Sequence, residues 1–425
     1  MNFQTRSRSS LLTLVLVIGF ATATSMLCSS YFATPITQAL SFPVQDGWCT
    51  TGSGIGAHCF GDYGYPIELA KTKNPYEFYA RTPYPYPPLA HFVFVLFLKL
   101  PKSLAFWVYL TIIALAVAAP AIDVARRNRA PWSKKIILIF FGCVLTSPFI
   151  AVIDRGNNLA LAVPILYIFF RTVASDRHAS SFASVVALSL WRPQLGLMAL
   201  VYVGLREWRI VMCLALTLPV AFLSTFLLFG AQAGNAFRDW CHSVQLYATS
   251  ANPGSLFPFN ISAANTIASI TRIVGLYISP HAIQTISAAA LALAIVLALL
   301  MSGKSTKFAL LTFCVATTIV SPNTTYSYYS VLLLVPLILF LDDPQAGIPH
   351  SSATFRSLSP NLPSNLCLGS WIVMLGCLTL IAAPLAFPTI NVDFQGHSVN
   401  VAAVTAVSGF LVVGVWISCL AHLTT

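Results

Sequence analysis

The sequence predicts an all-α polytopic membrane protein. Hydrophobic residues make up 57% of its 425 residues and charged residues only 8%, with a mean hydropathy of +0.78. A soluble domain typically carries about 25% charged residues, so these proportions exclude an ordinary water-soluble fold. The formal net charge of +11 fits the same class, because basic residues collect at the cytoplasmic ends of membrane helices. We therefore expect a lipid bilayer around the chain and no nucleic-acid partner.

About 12 to 13 apolar helices are expected in one integral membrane domain, residues 1–425. Runs of about 20 apolar residues can span a bilayer, and shorter runs can do so when tilted or paired. The first run, 11–33, lacks a clean cleavage site, which favours a retained helix over a signal peptide. Segment 89–100 is short and is expected to be re-entrant or interfacial, with a full span as the alternative. The other candidate spans are 104–124, 136–152, 158–174, 179–191, 194–205, 209–230, 282–302, 307–321, 327–341, 367–387 and 400–421.

Four basic clusters set the expected orientation, because such clusters face the cytoplasm. They are RSR at 6–8, RRNRAPWSKK at 126–135, REWR at 206–209 and GKSTK at 303–307. With these clusters inside, residues 34–88 form a large first extracytoplasmic loop and 231–281 a second one. Only a short hairpin fits before REWR, so WRPQ at 191–194 is expected at its outer apex. Pro193 would there end one helix and open the next.

Two cysteines and several polar residues at this expected outer face are candidates for a structural or chemical role. Cys49 and Cys59 flank a Gly-rich part of the first loop and form a candidate disulfide if that loop faces an oxidising compartment. Asp62 is either a solvated loop acid or a carboxylate held over the membrane surface. Arg155, in the DRGNN stretch at 154–158, either pairs with its neighbour or serves a site. Arg192 needs a partner near membrane depth, where ionisable groups usually mark a function.

The sequence contains no Gly-rich phosphate loop, no zinc-ligand spacing and no exposed nucleophile elbow. These absences argue against a soluble nucleotide donor held in a cytosolic domain. An enzyme working at the outer face would need an activated group delivered within the membrane, and a polyprenyl phosphate is the expected carrier. We expect no cofactor.

The order of several short motifs resembles a known family. Asp62 is followed by NPY at 74–76, YPYPPL at 84–89, DRGNN, WRP with REWR after it, and Ser-Pro at 321–322. In between, Asn260-Ile-Ser leads to Arg272. This pattern, over most of residues 55–340, is similar to glycosyltransferase family 87. The resemblance implies a GT-C-like bundle of about 12 to 13 helices with a large first extracytoplasmic loop.

The resemblance also implies an activity and its residues. Members transfer mannose or arabinofuranose from a polyprenyl-phosphate sugar to a lipid-linked or polysaccharide acceptor of the cell envelope, usually with inversion. By match, Asp62 is the expected catalytic base. Where many members have histidines or an aspartate after Ser-Pro, this chain has tyrosines. The residues expected to bind the donor phosphate are Arg192, Arg272 and Arg155, and those expected to bind sugar or acceptor are Asn158, Asn260, Tyr86 and Tyr328. No metal is expected, because arginines can neutralise the phosphate.

Three alternatives remain open from the sequence. A lipid-linked sugar flippase or secondary transporter would also be basic and polytopic, although no acid lies in the middle of a predicted span. A non-enzymatic scaffold for envelope assembly would tolerate loss of Asp62. A protein O-glycosylating enzyme of the same fold would differ only in its acceptor.

Overall fold

The computed structural model describes most of the chain between residues 60 and 342 and its last part. The described ranges are 60–78, 83–127, 146–250, 260–273, 276, 278–300, 307–322, 325–342, 373–374, 376–378, 381, 389–394 and 397–424. The predicted first span 11–33, Cys49 and Cys59 lie outside them, as does most of the predicted span 367–387.

The described residues are predominantly helical, as the sequence predicts. The α-helices are α1 Gly61–Leu69, α2 Pro88–Phe97, α3 Lys102–Arg127, α4 Ser147–Arg155, α5 Ala162–Ala174, α6 His178–Trp191, α7 Leu200–Gly204, α8 Trp208–Ser224, α9 Ala233–Ser250, α10 Ala263–Ile273, α11 Pro280–Leu300, α12 Lys307–Val320, α13 Leu334–Asp342 and α14 Ala403–Thr424. Short 3-10 segments precede α5, α7, α9 and α13, at Asn158–Leu161, Pro193–Ala199, Thr225–Gln232 and Ser327–Leu333.

Three helical stretches among the described residues are long and apolar enough to cross a membrane. They are Lys102–Arg127, Trp208–Tyr247 and His281–Leu300. The second carries apolar side chains that the fold leaves uncovered: Leu216 and Val220 are each 69% exposed and Leu227 is 70% exposed. Because a contiguous apolar surface of this kind is unfavourable in water, it suits contact with lipid.

Helix α12 forms the centre of the bundle. All of its residues from Phe308 to Val320 are buried. Helix α14 packs along it, with the rings of Phe313 and Trp416 stacked 5.8 Å apart. The Trp416 indole also donates a hydrogen bond of 2.9 Å to the Thr317 hydroxyl, which satisfies both polar groups inside an apolar layer.

The chain turns back at Arg192, as predicted for the WRPQ apex. Arg192 has an extended backbone (φ −149°, ψ 110°) because the following proline disfavours helical geometry in the residue before it. Pro193 then opens the next segment. The side chain of Ser189 lies beside Gly196, which shows that the two arms run back along each other. The second arm differs from the expected helix, since it is 3-10 from Pro193 to Ala199 and α-helical only from Leu200 to Gly204.

Two segments predicted without helices or strands have regular structure. The stretch 231–281, expected to be a loop, contains α9 and α10. The stretch 388–399, also expected to be a loop, belongs to an antiparallel hairpin of β1 Thr389–Phe394 and β2 His397–Ala402, so α14 begins at 403 rather than 400. The sequence TINVDF and the SVNV part of HSVNVA alternate polar and apolar residues, which is the two-residue period of a strand. The chain is therefore not purely α-helical.

Candidate active site

A cavity of about 390 Å³ opens where α1, α4, the Arg192 turn and α9 meet. Its charged lining residues are Asp62, Arg155 and Arg192, and seven of its other lining residues are tyrosines. A pocket of this size, with few polar groups converging among aromatic walls, is typical of a small-molecule site. Three residues predicted from separate motifs thus meet in one place.

Asp62 is held by three donated hydrogen bonds. Nε and Nη2 of Arg155 reach Oδ2 and Oδ1 of the carboxylate at 3.1 and 3.2 Å, a two-point ion pair. Nδ2 of Asn157 donates a third bond to Oδ2 at 2.6 Å. The Asp62 side chain remains 19% exposed while that of Arg155 is 10% exposed. The carboxylate is therefore ordered, charge-balanced and still open to the cavity.

Asp62 and Arg155 meet because the start of α1 packs closely against the turn that follows α4. Helix α4 ends at Gly156, whose φ of +63° is a left-handed geometry that favours glycine. A Cβ atom at Gly156 would lie only 3.1 Å from Cβ of Tyr63, so the missing side chain lets α1 pack directly on this turn. The Tyr109 hydroxyl fixes the turn from the other side by donating to the Gly156 carbonyl at 2.8 Å. Glycine in DRGNN is thus a packing requirement of the site.

Arg192 is buried, with only 6% of its surface exposed. Its Nη2 donates to the amide oxygens of Asn157 and Asn158 at 3.2 and 2.9 Å. Its guanidinium carbon lies 4.1 Å from the ring centroid of Tyr86, which places the cation over the aromatic face. Nε of Arg192 makes no hydrogen bond to any residue in the described part of the chain. These contacts hold the cation through neutral groups and leave its charge without a carboxylate partner among them.

The electrostatics of the cavity follow from burial and from the single carboxylate. Burial alone would lower the pKa of Arg155, but the charge and hydrogen bonds of Asp62 together with the neighbouring tyrosines outweigh burial and raise that pKa above its ordinary value. Burial raises the pKa of Tyr86 and of Tyr326, so both phenols stay neutral at physiological pH. One carboxylate and two guanidinium groups leave the lining with one excess positive charge, which suits an anionic ligand.

Aromatic rings form the part of the cavity wall that lies against Arg155. Tyr326 and Tyr328 are stacked with centroids 5.7 Å apart, and Tyr328 and Tyr329 are stacked at 5.3 Å. The guanidinium carbon of Arg155 lies 5.7 and 5.4 Å from the ring centroids of Tyr326 and Tyr328. The tyrosines that follow Ser321-Pro322 therefore face the ion pair directly.

Helix α9 anchors the segment that carries Tyr86. The Asn74 amide donates to the Asp239 carboxylate at 2.8 Å, which ties the NPY motif to α9. The Trp240 indole donates to the Pro85 carbonyl at 3.3 Å, and the Tyr84 backbone N–H donates to the Ser243 hydroxyl. The aromatic segment is thus fixed along one helix.

Two predicted site residues, Asn158 and Asn260, lie outside the cavity lining. Asn158 is fully buried and does not line the cavity. Its side-chain oxygen accepts a hydrogen bond from Arg192, and its amide nitrogen donates to the Ala90 carbonyl. Asn260 is also buried away from the cavity, and its side-chain oxygen accepts the backbone N–H groups of Ser262 and Thr325. Arg272 belongs to α10, but its side chain lies outside what the structure describes. Tyr86 and Tyr328 do line the cavity, together with the predicted charged residues.

The sequence analysis missed lining residues on α9. Trp240, Val244 and Tyr247 all face the cavity. Their spacing of four and three residues places them on one face of a helix, and this pattern could have identified them. Among the residues that the structure describes, no three His, Cys, Asp or Glu side chains come together as metal ligands would.

Comparison with protein families agrees with the motif order. The family model described as glycosyltransferase family 87 matches residues 84–322, more than half of the 425 residues. The matched range contains Tyr86, Arg155 and Arg192, whereas Asp62 precedes it. No curated protein and no solved structure gives a significant match to the chain. Because the family match covers more than half of the chain, including the turns at Gly156 and Arg192, we conclude that this chain belongs to glycosyltransferase family 87 and is a glycosyltransferase.

Proposed function

We propose that the chain transfers mannose or arabinofuranose from a polyprenyl-phosphate sugar to a glycolipid or polysaccharide acceptor of the cell envelope. The single observation that carries this proposal is the meeting of Asp62 and Arg192 in one cavity, bridged by Asn157. Sugar transfer from a phosphate needs a carboxylate and a cation, and here both groups contact the same side chain. The family match supports glycosyl transfer as the reaction.

Asp62 is the proposed general base. An acceptor hydroxyl is a weak nucleophile, so a carboxylate that accepts its proton as the new bond forms accelerates the reaction. The acceptor oxygen bonds to the anomeric carbon, and the bond from that carbon to the phosphate oxygen breaks. A single displacement of this kind inverts the anomeric centre and needs one carboxylate, and Asp62 is the carboxylate in the cavity lining.

Arg192 is the proposed partner of the leaving phosphate. Negative charge grows on the phosphate as the sugar departs, and a fixed cation in a water-poor cavity stabilises that charge. Arg192 is oriented by two amide oxygens and by the Tyr86 ring, so little reorganisation is required when the phosphate binds. Its Nε, which makes no hydrogen bond to any described residue, supplies a further donor.

The charge balance favours a monophosphate donor. Asp62 and Arg155 neutralise each other, which leaves the single charge of Arg192. A sugar linked to a polyprenyl monophosphate is a phosphodiester with one negative charge and matches it. A diphosphate-linked sugar would bring a second charge to neutralise, and burying a charge without a partner is costly.

The tyrosine wall is the proposed sugar and prenyl contact surface. Tyrosine rings offer apolar faces for a sugar ring or lipid chain and hydroxyls for hydrogen bonds. Tyr86 and Tyr328 keep their predicted role in this scheme. Asn158 and Asn260 act behind the cavity, the first by orienting Arg192 and the second by holding the backbone next to Tyr326.

We further propose a multi-pass protein of a bacterial plasma membrane, with a GT-C-like bundle and the cavity on the extracytoplasmic face. Three long apolar helices and the family support membrane association. The basic clusters support the orientation, since they would lie on the opposite face. On that outer face a soluble nucleotide sugar is not supplied, whereas a lipid-linked donor is.

An assay with purified protein tests the proposed donor. The protein, in nanodiscs, is supplied with radiolabelled polyprenyl-phosphate mannose or polyprenyl-phosphate arabinofuranose together with an envelope lipid extract. Transfer of label to the extract with release of polyprenyl phosphate is the expected result. If neither donor is consumed, the proposed donor class is wrong. Movement of intact donor between leaflets without release of polyprenyl phosphate would support the transporter alternative.

A further inference from the structure

Asn157 lies between the two charged groups of the site and is fully buried. Its amide nitrogen donates to Asp62 and its amide oxygen accepts from Arg192. The same oxygen accepts the backbone N–H of Leu159 at 2.8 Å, which caps the 3-10 segment that follows. One side chain therefore contacts the proposed base, the proposed phosphate-binding cation and the backbone.

The surroundings fix which way the Asn157 amide points. Two donors face its oxygen: the Leu159 N–H and Nη2 of Arg192. Turning the amide over would set its NH₂ group against both donors and its oxygen against the Asp62 carboxylate. The hydroxyl of Tyr86, 3.3 Å from Nδ2, accepts on the same side as Asp62. The NH₂ group of Asn157 is therefore oriented toward Asp62.

The hydrogen bond from Asn157 determines which oxygen of Asp62 can still accept another hydrogen bond. An ionised carboxylate has about four lone-pair positions, two on each oxygen. Oδ2 accepts from Nε of Arg155 and from Nδ2 of Asn157, so both of its positions are used. Oδ1 accepts only Nη2 of Arg155 among the described residues. One position therefore stays open, and it is on Oδ1.

We propose that Asn157 is a positioning residue that closes Oδ2 of Asp62 and makes Oδ1 the atom that accepts the proton. This inference rests on the proposed function. In the step, the acceptor O–H bond breaks and its proton moves to Oδ1. The acceptor oxygen bonds to the anomeric carbon, and the electron pair of the broken carbon–oxygen bond leaves with the phosphate. Asn157 touches neither reacting atom and acts through Asp62 and Arg192.

Two serine substitutions separate this role from simple support of Arg192. Asn157→Ser and Asn158→Ser each remove one amide oxygen from Arg192, but only Asn157→Ser removes the donor to Asp62. Serine at 157 keeps an oxygen that can cap the Leu159 N–H. We expect both variants to raise the KM for the polyprenyl-phosphate sugar. We expect kcat to fall by about a hundredfold in Asn157→Ser and by clearly less in Asn158→Ser, because only the first variant also loosens the base and costs it its alignment.

Asn157→Asp is the second variant and decides the matter if the serine variant does not fold. It matches asparagine in shape, and it keeps the cap and the acceptor for Arg192 while replacing the NH₂ donor with an oxygen. If Asn157 only capped the 3-10 segment, Asn157→Asp would keep the wild-type kcat, since aspartate caps as well as asparagine. If Asn157 positions Asp62, kcat is lost. Wild-type kcat in a folded Asn157→Ser or Asn157→Asp variant overturns the inference and leaves the proposed function standing. A wild-type protein that consumes neither donor overturns both.

Discussion

Asp62 is a carboxylate whose charge is balanced by Arg155 and whose position is fixed by Asn157. Neutralising it without changing its size tests whether it acts as a base. We expect Asp62→Asn to fold and to bind polyprenyl phosphate, while kcat falls by about 10²- to 10⁴-fold, the usual contribution of a general base. Turnover and polyprenyl-phosphate binding are measured on the same preparation in nanodiscs. Near-normal kcat in a folded variant would assign Asp62 a structural role only.

Arg192 combines a planar cation, two amide contacts and a stacking partner. Lysine keeps the charge but has neither the planar fork nor the stacking surface. We therefore expect Arg192→Lys to raise the donor KM by about tenfold, and Arg192→Gln, which also removes the charge, to raise it further. Steady-state kinetics over a range of donor concentration give both values. Equal KM values for the lysine variant and the wild type would place the phosphate elsewhere in the cavity.

The predicted charged residues that line the cavity share one property. Asp62, Arg155 and Arg192 are charges next to apolar runs, and such charges need partners wherever the chain places them. Asn260 was expected to bind sugar but is used inside the protein for two backbone N–H groups. An amide side chain serves ligand and backbone equally well, so its type alone could not distinguish the two uses.

At the scale of the element, the turn between α4 and its following 3-10 segment sets the geometry of the site. We expect Gly156→Ala to lower both stability and turnover. The left-handed conformation costs an L-residue about 1–2 kcal/mol, and the new Cβ would press on Tyr63 in α1, moving Asp62 away from Arg155. Thermal unfolding in nanodiscs and the turnover rate are the measurements.

Gly230 provides a control for this prediction. Its φ of +56° is also positive, but its ψ of −124° lies outside the left-handed helical region, and an added Cβ would meet nothing within 4 Å. Gly230→Ala should therefore show a backbone cost at least as large as that of Gly156→Ala, without any contact on α1, and keep its turnover. Equal losses of turnover in the two variants would mean that contact between α1 and the Gly156 turn does not position the base.

Helix α9 shows where element prediction from the sequence fell short. The stretch after the Trp208–Ser224 helix carries Arg238, Asp239 and other polar residues, so it was expected to be a loop. It is an amphipathic helix instead, with Trp240 and its neighbours toward the cavity. Hydropathy alone separates membrane from water and does not distinguish a polar loop from a helix with one apolar face. Testing the 3.6-residue period would have separated them.

For the molecule as a whole, the sequence was most informative about the structural class, a helical membrane protein. A scarcity of charge predicts membrane helices because every buried charge must be compensated, and that requirement acts on the whole chain. The turn at Arg192 was expected from the short length of chain available before the basic REWR cluster. The β1–β2 hairpin was not expected, since short alternating segments carry a weak signal beside long apolar runs.

The orientation of the molecule in the membrane can be tested with two exposed residues on opposite faces. Glu77 lies just after the NPY motif, which Asn74 ties to α9 beside the cavity, and Glu207 lies within the basic REWR cluster; both are exposed. Because basic clusters face the cytoplasm, Glu77 should be outside and Glu207 inside. In a cysteine-free background, a membrane-impermeant maleimide should label Glu77→Cys in intact spheroplasts and Glu207→Cys only after permeabilisation. The reverse pattern would put the cavity in the cytoplasm, where nucleotide sugars are available, and would remove the main reason for a lipid-linked donor.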